Sequence, residues 1–294
     1  MKLLLTGAAG RLGSRVCREL DEAGHEVVAV DRQYTTRLPV PVELVDLLEA
    51  FAPYRLLEGC DGLIHLAGHP NIGRGHSLQQ VYGENVTMAF NLFQAASDVG
   101  VKRIVFSSSV QVVAGRRHPD ETDQPSSLAY LPIDGGLPAR PGNAYALSKQ
   151  ACEQMLAYHA SLDPELSATA VRFPALPDPG RARRWFSLRN RMPVGQWQMH
   201  ADEGFAYLWV GEAARLTRLL IENQTSGYHQ YLPAMPDNVL GWPAQQVIET
   251  FYRDVPGGER VEESLVDNSA LLAEVGWQPT APTMREVLAE AEKG

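Results

Sequence analysis

The stretch Thr6-Gly7-Ala8-Ala9-Gly10-Arg11-Leu12-Gly13 constrains this chain more than any other. It follows a short apolar run, Lys2–Leu5, and leads into Leu12–Ala23, where Leu12, Val16 and Leu20 recur at helical spacing. Glycines so placed permit a tight turn, a close backbone approach to a pyrophosphate, and packing of helix on strand. The helix N-terminus then points its unpaired N–H groups at the phosphates. Three glycines alone could serve a tight turn in any α/β protein. Here an acid also ends the next strand: His25–Val30 reads as that strand and Asp31 follows it. Together these features mark a dinucleotide site with Gly7, Gly10 and Gly13 at its phosphates. A carboxylate at Asp31 accepts hydrogen bonds from the adenosine ribose and repels a 2′-phosphate, which favours NAD. Arg32 beside it could pair with such a phosphate and leaves NADP open, unless it is only a solvated loop side chain.

The pattern continues in kind. Val42–Val45, Gly62–Leu66, Arg103–Phe106 and Ala168–Val171 read as strands, with helices around Val81–Ala96 and Ala144–His159 between them. Short strands alternating with helices predict a doubly wound parallel sheet, the Rossmann fold, with ligands outside the carboxyl ends of its strands. After Phe173 the pattern loosens into a segment rich in proline, arginine and tryptophan. Gly227–Leu232 returns a strand, and Val266–Gly294 holds two short helices around Gly-Trp-Gln-Pro-Thr-Ala-Pro. The division expected is a nucleotide-binding domain, residues 1–173 with about 205–234, and a small C-terminal substrate-binding domain, about 174–204 with 235–294.

A net charge of −9 argues against a nucleic-acid binder, which needs a basic surface. No apolar run reaches the roughly 18–20 residues of a membrane span. Thr6, Gly7 and Gly10 break the opening leucines before a signal peptide could form. Cys17, Cys60 and Cys152 are few, odd in number and without metal-ligand spacing, which predicts a reduced cytoplasmic protein with no metal.

Tyr145 and Lys149 stand one helical turn apart, on one face. A phenol of pKa about 10 is a poor base at neutral pH, and a nearby cation favours its phenolate. Such a pair can exchange a proton with a carbinol or carbonyl while hydride moves to or from a nicotinamide. By itself the spacing is common surface decoration. However, Ser107-Ser108-Ser109 follows the fifth strand, where a hydroxyl can orient a substrate oxygen. The plainer reading is that these serines end a strand and cap a turn.

With these residues in place the sequence resembles the extended short-chain dehydrogenase/reductase family, the NAD-dependent epimerases and dehydratases. The matching elements run in family order: the glycine motif, Asp31, Val45-Asp46-Leu47, His65-Leu66-Ala67-Gly68, Glu84-Asn85-Val86, Phe106 to Ser109, Tyr145 to Lys149, and Asp267 to Pro279. The resemblance implies a catalytic triad of Ser109, Tyr145 and Lys149, with Lys149 also on the nicotinamide ribose. It implies further that Arg11 and Leu12 border the pyrophosphate, Asp46 and Leu47 the adenine, and Leu66, Ala67 and Gly68 the length of the cofactor. Asn85 should sit near the ribose or the active-site edge, and Pro174 joins the cofactor residues. His65 is expected to be structural. The family often dimerises through the helix bearing Tyr145 and the long helix before it, so a homodimer is expected. Met155 and Leu156 suit either that interface or an internal core.

Against the nucleotide-sugar epimerases of that family, three features are missing, one of them the tyrosine common after the serines, replaced in Val112-Val113-Ala114. The asparagine they often carry after the sixth strand, near the substrate diphosphate, is absent from Arg172-Phe173-Pro174-Ala175, and Glu203-Gly204-Phe205-Ala206-Tyr207 lacks their diphosphate-gripping arginine. Arg181, Arg183 and Arg184, with Arg189 and Arg191, offer a wall for a small anionic substrate, or else a solvated or dimer-facing loop. Trp185, Phe186 and Trp197 could stack on a sugar or pack the small domain. The leading expectation is a dehydrogenase acting on a free sugar, sugar acid or similar small alcohol or carbonyl, akin to the uronate dehydrogenases. An epimerase with tightly held NAD, or a non-catalytic NAD(P) sensor, are the alternatives.

Overall fold

A computed structural model describes residues 1–70, 75–114, 128–178, 198–223 and 225–291. Among the described residues seven strands form one sheet: β1 Lys2–Thr6, β2 Glu26–Asp31, β3 Val42–Leu44, β4 Gly62–His65, β5 Arg103–Ser109, β6 Ser167–Phe173 and β7 Gly227–Tyr231. Their order is β3-β2-β1-β4-β5-β6-β7, and the pairs β1–β2, β1–β4, β2–β3 and β4–β5 are parallel. This is the doubly wound Rossmann arrangement expected. The order reverses between β1 and β4, so the crevice for a ligand opens beyond Thr6 and His65.

Helices α1 Arg11–Glu22, α2 Ala52–Leu57, α3 Leu78–Val99, α4 Ala144–Leu162 and α5 Val210–Asn223 accompany the sheet. Alternation along the strands sorts the side chains. Leu4, Val30, Leu63, Ile104 and Phe106 join a core with Met88, Leu92 and Phe93 of α3 and Cys152 and Leu156 of α4. Leu156 is thus a core residue, with Met155 packed half-buried against the same cluster. On the other face α1 buries Val16, Cys17 and Leu20, and Ile221 of α5 approaches Leu3 over Gly62.

By contacts the chain divides into a unit of Met1–Ser108, Asn143–Val171 and Ala213–Gln230, and a unit of Ser109–Gly142, Arg172–Glu212 and Tyr231–Gly294. The second holds helices α6 Ala244–Phe251, α7 Ser269–Val275 and α8 Met284–Ala291. Polar groups tie it together. The buried Glu212 carboxylate accepts from Thr280 N, Thr280 Oγ1 and Ala281 N, each at 2.8 Å. The Tyr207 hydroxyl donates to Asp237 at 2.5 Å and accepts from Met284 N at 2.6 Å. Arg172 donates to Leu137 O at 2.7 Å, so the arginine ending β6 anchors a loop.

Three expectations need correction. The serines belong to β5 rather than following it, because Ser108 is buried and satisfied there. Strand β2 runs Glu26–Asp31 rather than His25–Val30, with Asp31 at its end as expected. Helices α2, α5 and α6 were not expected: α2 is brief, and α5 and α6 lie where proline and aromatic residues obscure the period.

Candidate functional site

At the switch point lies a cleft of about 340 Å³. Its floor is the β1–α1 turn. Gly7 has φ +71°, and a Cβ there would stand 2.7 Å from Ala67 N, so only glycine lets β1's exit touch β4's. A Cβ on Gly13 would stand 2.0 Å from Gly7 O. Gly10, the N-cap of α1, makes no side-chain cap hydrogen bond to the helix N-terminus, whose dipole favours an anion. Arg11 and Leu12 are the first residues of that helix.

The far end of the cleft is set by Asp31. Its Oδ2 accepts from Ala9 N at 3.0 Å and its Oδ1 from Gln33 N at 2.9 Å, so two amides fix the carboxylate. Arg32, Leu47, Leu66, Ala67 and Gly68 also line the cleft. Asp46 is exposed and accepts from Leu48 N at 3.1 Å, shaping the turn that presents buried Leu47.

Asn85 is buried, and its amide works within the protein. Oδ1 accepts from His69 N at 2.7 Å, while Nδ2 donates to His69 O and Ser148 Oγ, both at 3.1 Å. Ser148 in turn donates to Tyr145 O at 2.7 Å. The loop leaving β4 is thereby pinned to the turn of α4 that carries Tyr145.

Lys149 sits in the core end of this network. Its Nζ donates to Ser107 O at 2.7 Å and lies 4.7 Å from the centroid of Phe106 and 5.8 Å from that of Tyr145. A Cβ on Gly68 would be 3.6 Å from it, which places the ammonium behind the cleft wall. Burial lowers its pKa from 10.5 to about 8. Beyond it on α4, buried Glu153 accepts from Ser108 Oγ at 2.6 Å. Ser109, the last residue of β5, caps the turn Val110–Val112 by accepting from Gln111 N at 3.2 Å. A hydroxyl used as an acceptor still has its proton to donate.

His65 is buried and bonded to Thr6 Oγ1 at 2.8 Å, with burial pushing its pKa down to about 3; it is a neutral structural imidazole. Pro174 follows β6 and is buried. Arg181, Arg183, Arg184, Arg189 and Arg191, with Trp185, Phe186 and Trp197, lie outside the described residues. The sequence reading missed Gln33, His69 and His76 on the cleft and Glu153 behind it. Glu84, Ser108 and Ser148 lie within matched motifs, but only the fold shows their partners.

A family model for the NAD dependent epimerase/dehydratase family matches residues 3–231. The chain belongs to that family. That family is the extended short-chain dehydrogenase/reductase family that the sequence resembled. A uronate dehydrogenase of Pseudomonas putida is 33% identical over 162 residues, 54% of this chain and 55% of that protein. The match therefore spans about half the length of that relative. A UDP-glucose 4-epimerase of Corynebacterium glutamicum is 25% identical across 99% of this chain and 94% of its own. Among solved structures, MoeE5 in complex with UDP-glucuronic acid and NAD has a TM-score of 0.70 at 21% identity, covering 98% of this chain and 97% of that one. That likeness is one of fold.

Among the described residues no helix is long and apolar enough to cross a membrane.

Proposed function

We propose that this member of the family is an NAD-dependent dehydrogenase of a free sugar or sugar acid, with a uronate as the leading substrate class. The observation that carries the redox reading is the Lys149 ammonium, buried behind Gly68 at the cleft and beside the ring of Tyr145. The residues present suit NAD: a turn with no room for a Cβ at Gly7 or Gly13, a helix N-terminus without a side-chain cap, and a fixed carboxylate at Asp31. Bound NAD would supply the hydride acceptor.

The chain's own residues do the rest. Gly7, Gly10 and Gly13, with Arg11 and Leu12, hold the pyrophosphate; Asp31 holds the adenosine ribose; Asp46 and Leu47 border the adenine; and Leu66, Ala67, Gly68 and Pro174 line the length between. Ser109 orients the substrate oxygen. The Lys149 charge holds Tyr145 as its phenolate, and Tyr145 Oη takes the carbinol proton to become the neutral phenol. Lys149 also holds the nicotinamide ribose. The second unit, with Arg181, Arg183 and Arg184, is assigned the substrate anion.

The substrate class rests on Ala175. It stands where the nucleotide-sugar epimerases often carry asparagine, and its carbonyl is already bonded to Leu208 N at 2.9 Å. The uronate dehydrogenase relationship supports the same class. The full-length match to a UDP-glucose 4-epimerase favours epimerisation as the second reading. One assay separates them. With NAD and a panel of uronates, aldoses and UDP-sugars, absorbance at about 340 nm should rise with a uronate or aldose. Tyr145→Phe should lower that rate at least roughly a hundredfold. Interconversion of a UDP-sugar without net NADH would establish the epimerase instead.

A further inference from the structure

We propose that Glu84 makes this cleft select against a 2′-phosphorylated dinucleotide by engaging Arg32 before such a phosphate can. The inference rests on the dinucleotide reading above. Arg32 follows Asp31 at the end of β2, and among the described residues lining the cleft it is the one permanent cation. An arginine in that place ordinarily invites a 2′-phosphate. Here its Nη1 lies 3.7 Å from Glu84 Oε2, a carboxylate that reaches across from α3.

Glu84 is itself held in place. Its Oε2 takes a close hydrogen bond from His69 Nε2. His69 is buried, has its ring centroid 4.0 Å from that of His76 with the planes tilted by 50°, and has its main chain gripped at both N and O by Asn85. The tautomer follows from the partners. A nitrogen that donates to the carboxylate has no lone pair for Arg32, so the 3.4 Å approach of Arg32 Nη2 to His69 Nε2 is a packing contact. Among the described residues, the Glu84 carboxylate is the group that engages the guanidinium. A 2′-phosphate, with charge near −2, would therefore meet Asp31 and Glu84 together against one shared cation. The neutral ribose hydroxyls of NAD meet no such barrier.

The test compares affinities of NAD+ and NADP+ by calorimetry and thermal shift, with 5′-AMP and 2′,5′-ADP as cofactor fragments. Glu84→Gln keeps an acceptor for His69 and removes only the charge. It should raise NADP+ affinity relative to NAD+ by roughly three- to tenfold, the scale expected for one partly exposed charge. Arg32→Ala alone should leave that ratio within about twofold, since its guanidinium is already neutralised. Added to Glu84→Gln, it should cancel the gain. An unchanged ratio in Glu84→Gln, with NAD+ bound as in the wild type, would overturn the proposal and leave the dinucleotide reading standing. So would a several-fold loss of NADP+ affinity in Arg32→Ala alone. Failure of the wild type to bind either dinucleotide would overturn both.

Discussion

Lys149 carries its charge almost wholly out of water, and the protein gives it few compensations: one carbonyl, the face of Phe106, and the field of Glu153 one turn on. Burial lowers its pKa from 10.5 to about 8. Between those values the unfolded chain binds a proton that the native protein has lost, so stability rises with pH across that window. Below about 8 the native ammonium is charged and the full burial penalty stands, on the order of 3 kcal/mol. Lys149→Met should therefore stabilise the protein at pH 7, less about 1 kcal/mol for the partner lost by Ser107. That advantage should shrink by pH 10 while catalysis is lost at both. Urea unfolding of both proteins at the two pH values checks it, and an advantage that grew with pH would be incompatible with this account. A site that gives up stability to keep a charge in place is what a working residue looks like.

Among the elements, α1 and α3 show how one substitution can take opposite signs. In α1, a Cβ on Gly13 would meet Gly7 O, Gly7 C and Ala8 Cα, all backbone of the tight turn, at 2.0–2.9 Å. Those atoms cannot yield, so the helix must lift and loosen Val16, Cys17 and Leu20 from the sheet. Gly13→Ala should cost about 2–4 kcal/mol and abolish dinucleotide binding. In α3, Gly83 has nothing within 4 Å of a Cβ position. Gly83→Ala should instead stabilise by about 0.5–1 kcal/mol, because alanine holds a helix better than glycine. Denaturant midpoints of the two variants check both signs. The same contrast explains what was legible beforehand. A turn that admits no Cβ restricts its residues so tightly that TGAAGRLG announces the strand, the turn and the helix. Strand alternation and the i, i+4 pair Tyr145 and Lys149 were legible for the same local reason. The bond from Ser108 to Glu153, and the meeting of Arg32 with Glu84, join residues far apart in sequence and exist only once β5 lies beside α4 and β2 opposite α3. Helix α5 was obscured because its apolar face, Ala213, Leu216, Leu220 and Ile221, follows an irregular proline-rich stretch.

At the scale of the whole molecule, the outer faces of α3 and α4 stand out. Met88, Leu92 and Phe93 point into the core, yet Phe90 on the same helix is 52% exposed. On α4, Leu147 is 47% and Tyr158 59% exposed, with Leu162 exposed beyond them. Leu147, Tyr158 and Leu162 share one stripe at helical spacing, and α3 and α4 pack against each other, so each helix carries exposed apolar side chains beside its neighbour. We propose that a second copy of the chain covers them, two helices from each subunit making a four-helix bundle as the resemblance implied. Light scattering should give a mass about twice the 32.3 kDa of one chain. Phe90→Glu with Leu147→Glu should yield a monomer, since both side chains face outward and their charges would be desolvated on association. A wild type that scatters as a single chain would exclude the arrangement. The consequence reaches the site, because the helix that would be clamped in the dimer is the one carrying Tyr145 and Lys149. The monomeric variant should therefore bind NAD less tightly as α4 loses its outer packing, and a thermal-shift titration of both forms with NAD measures that link.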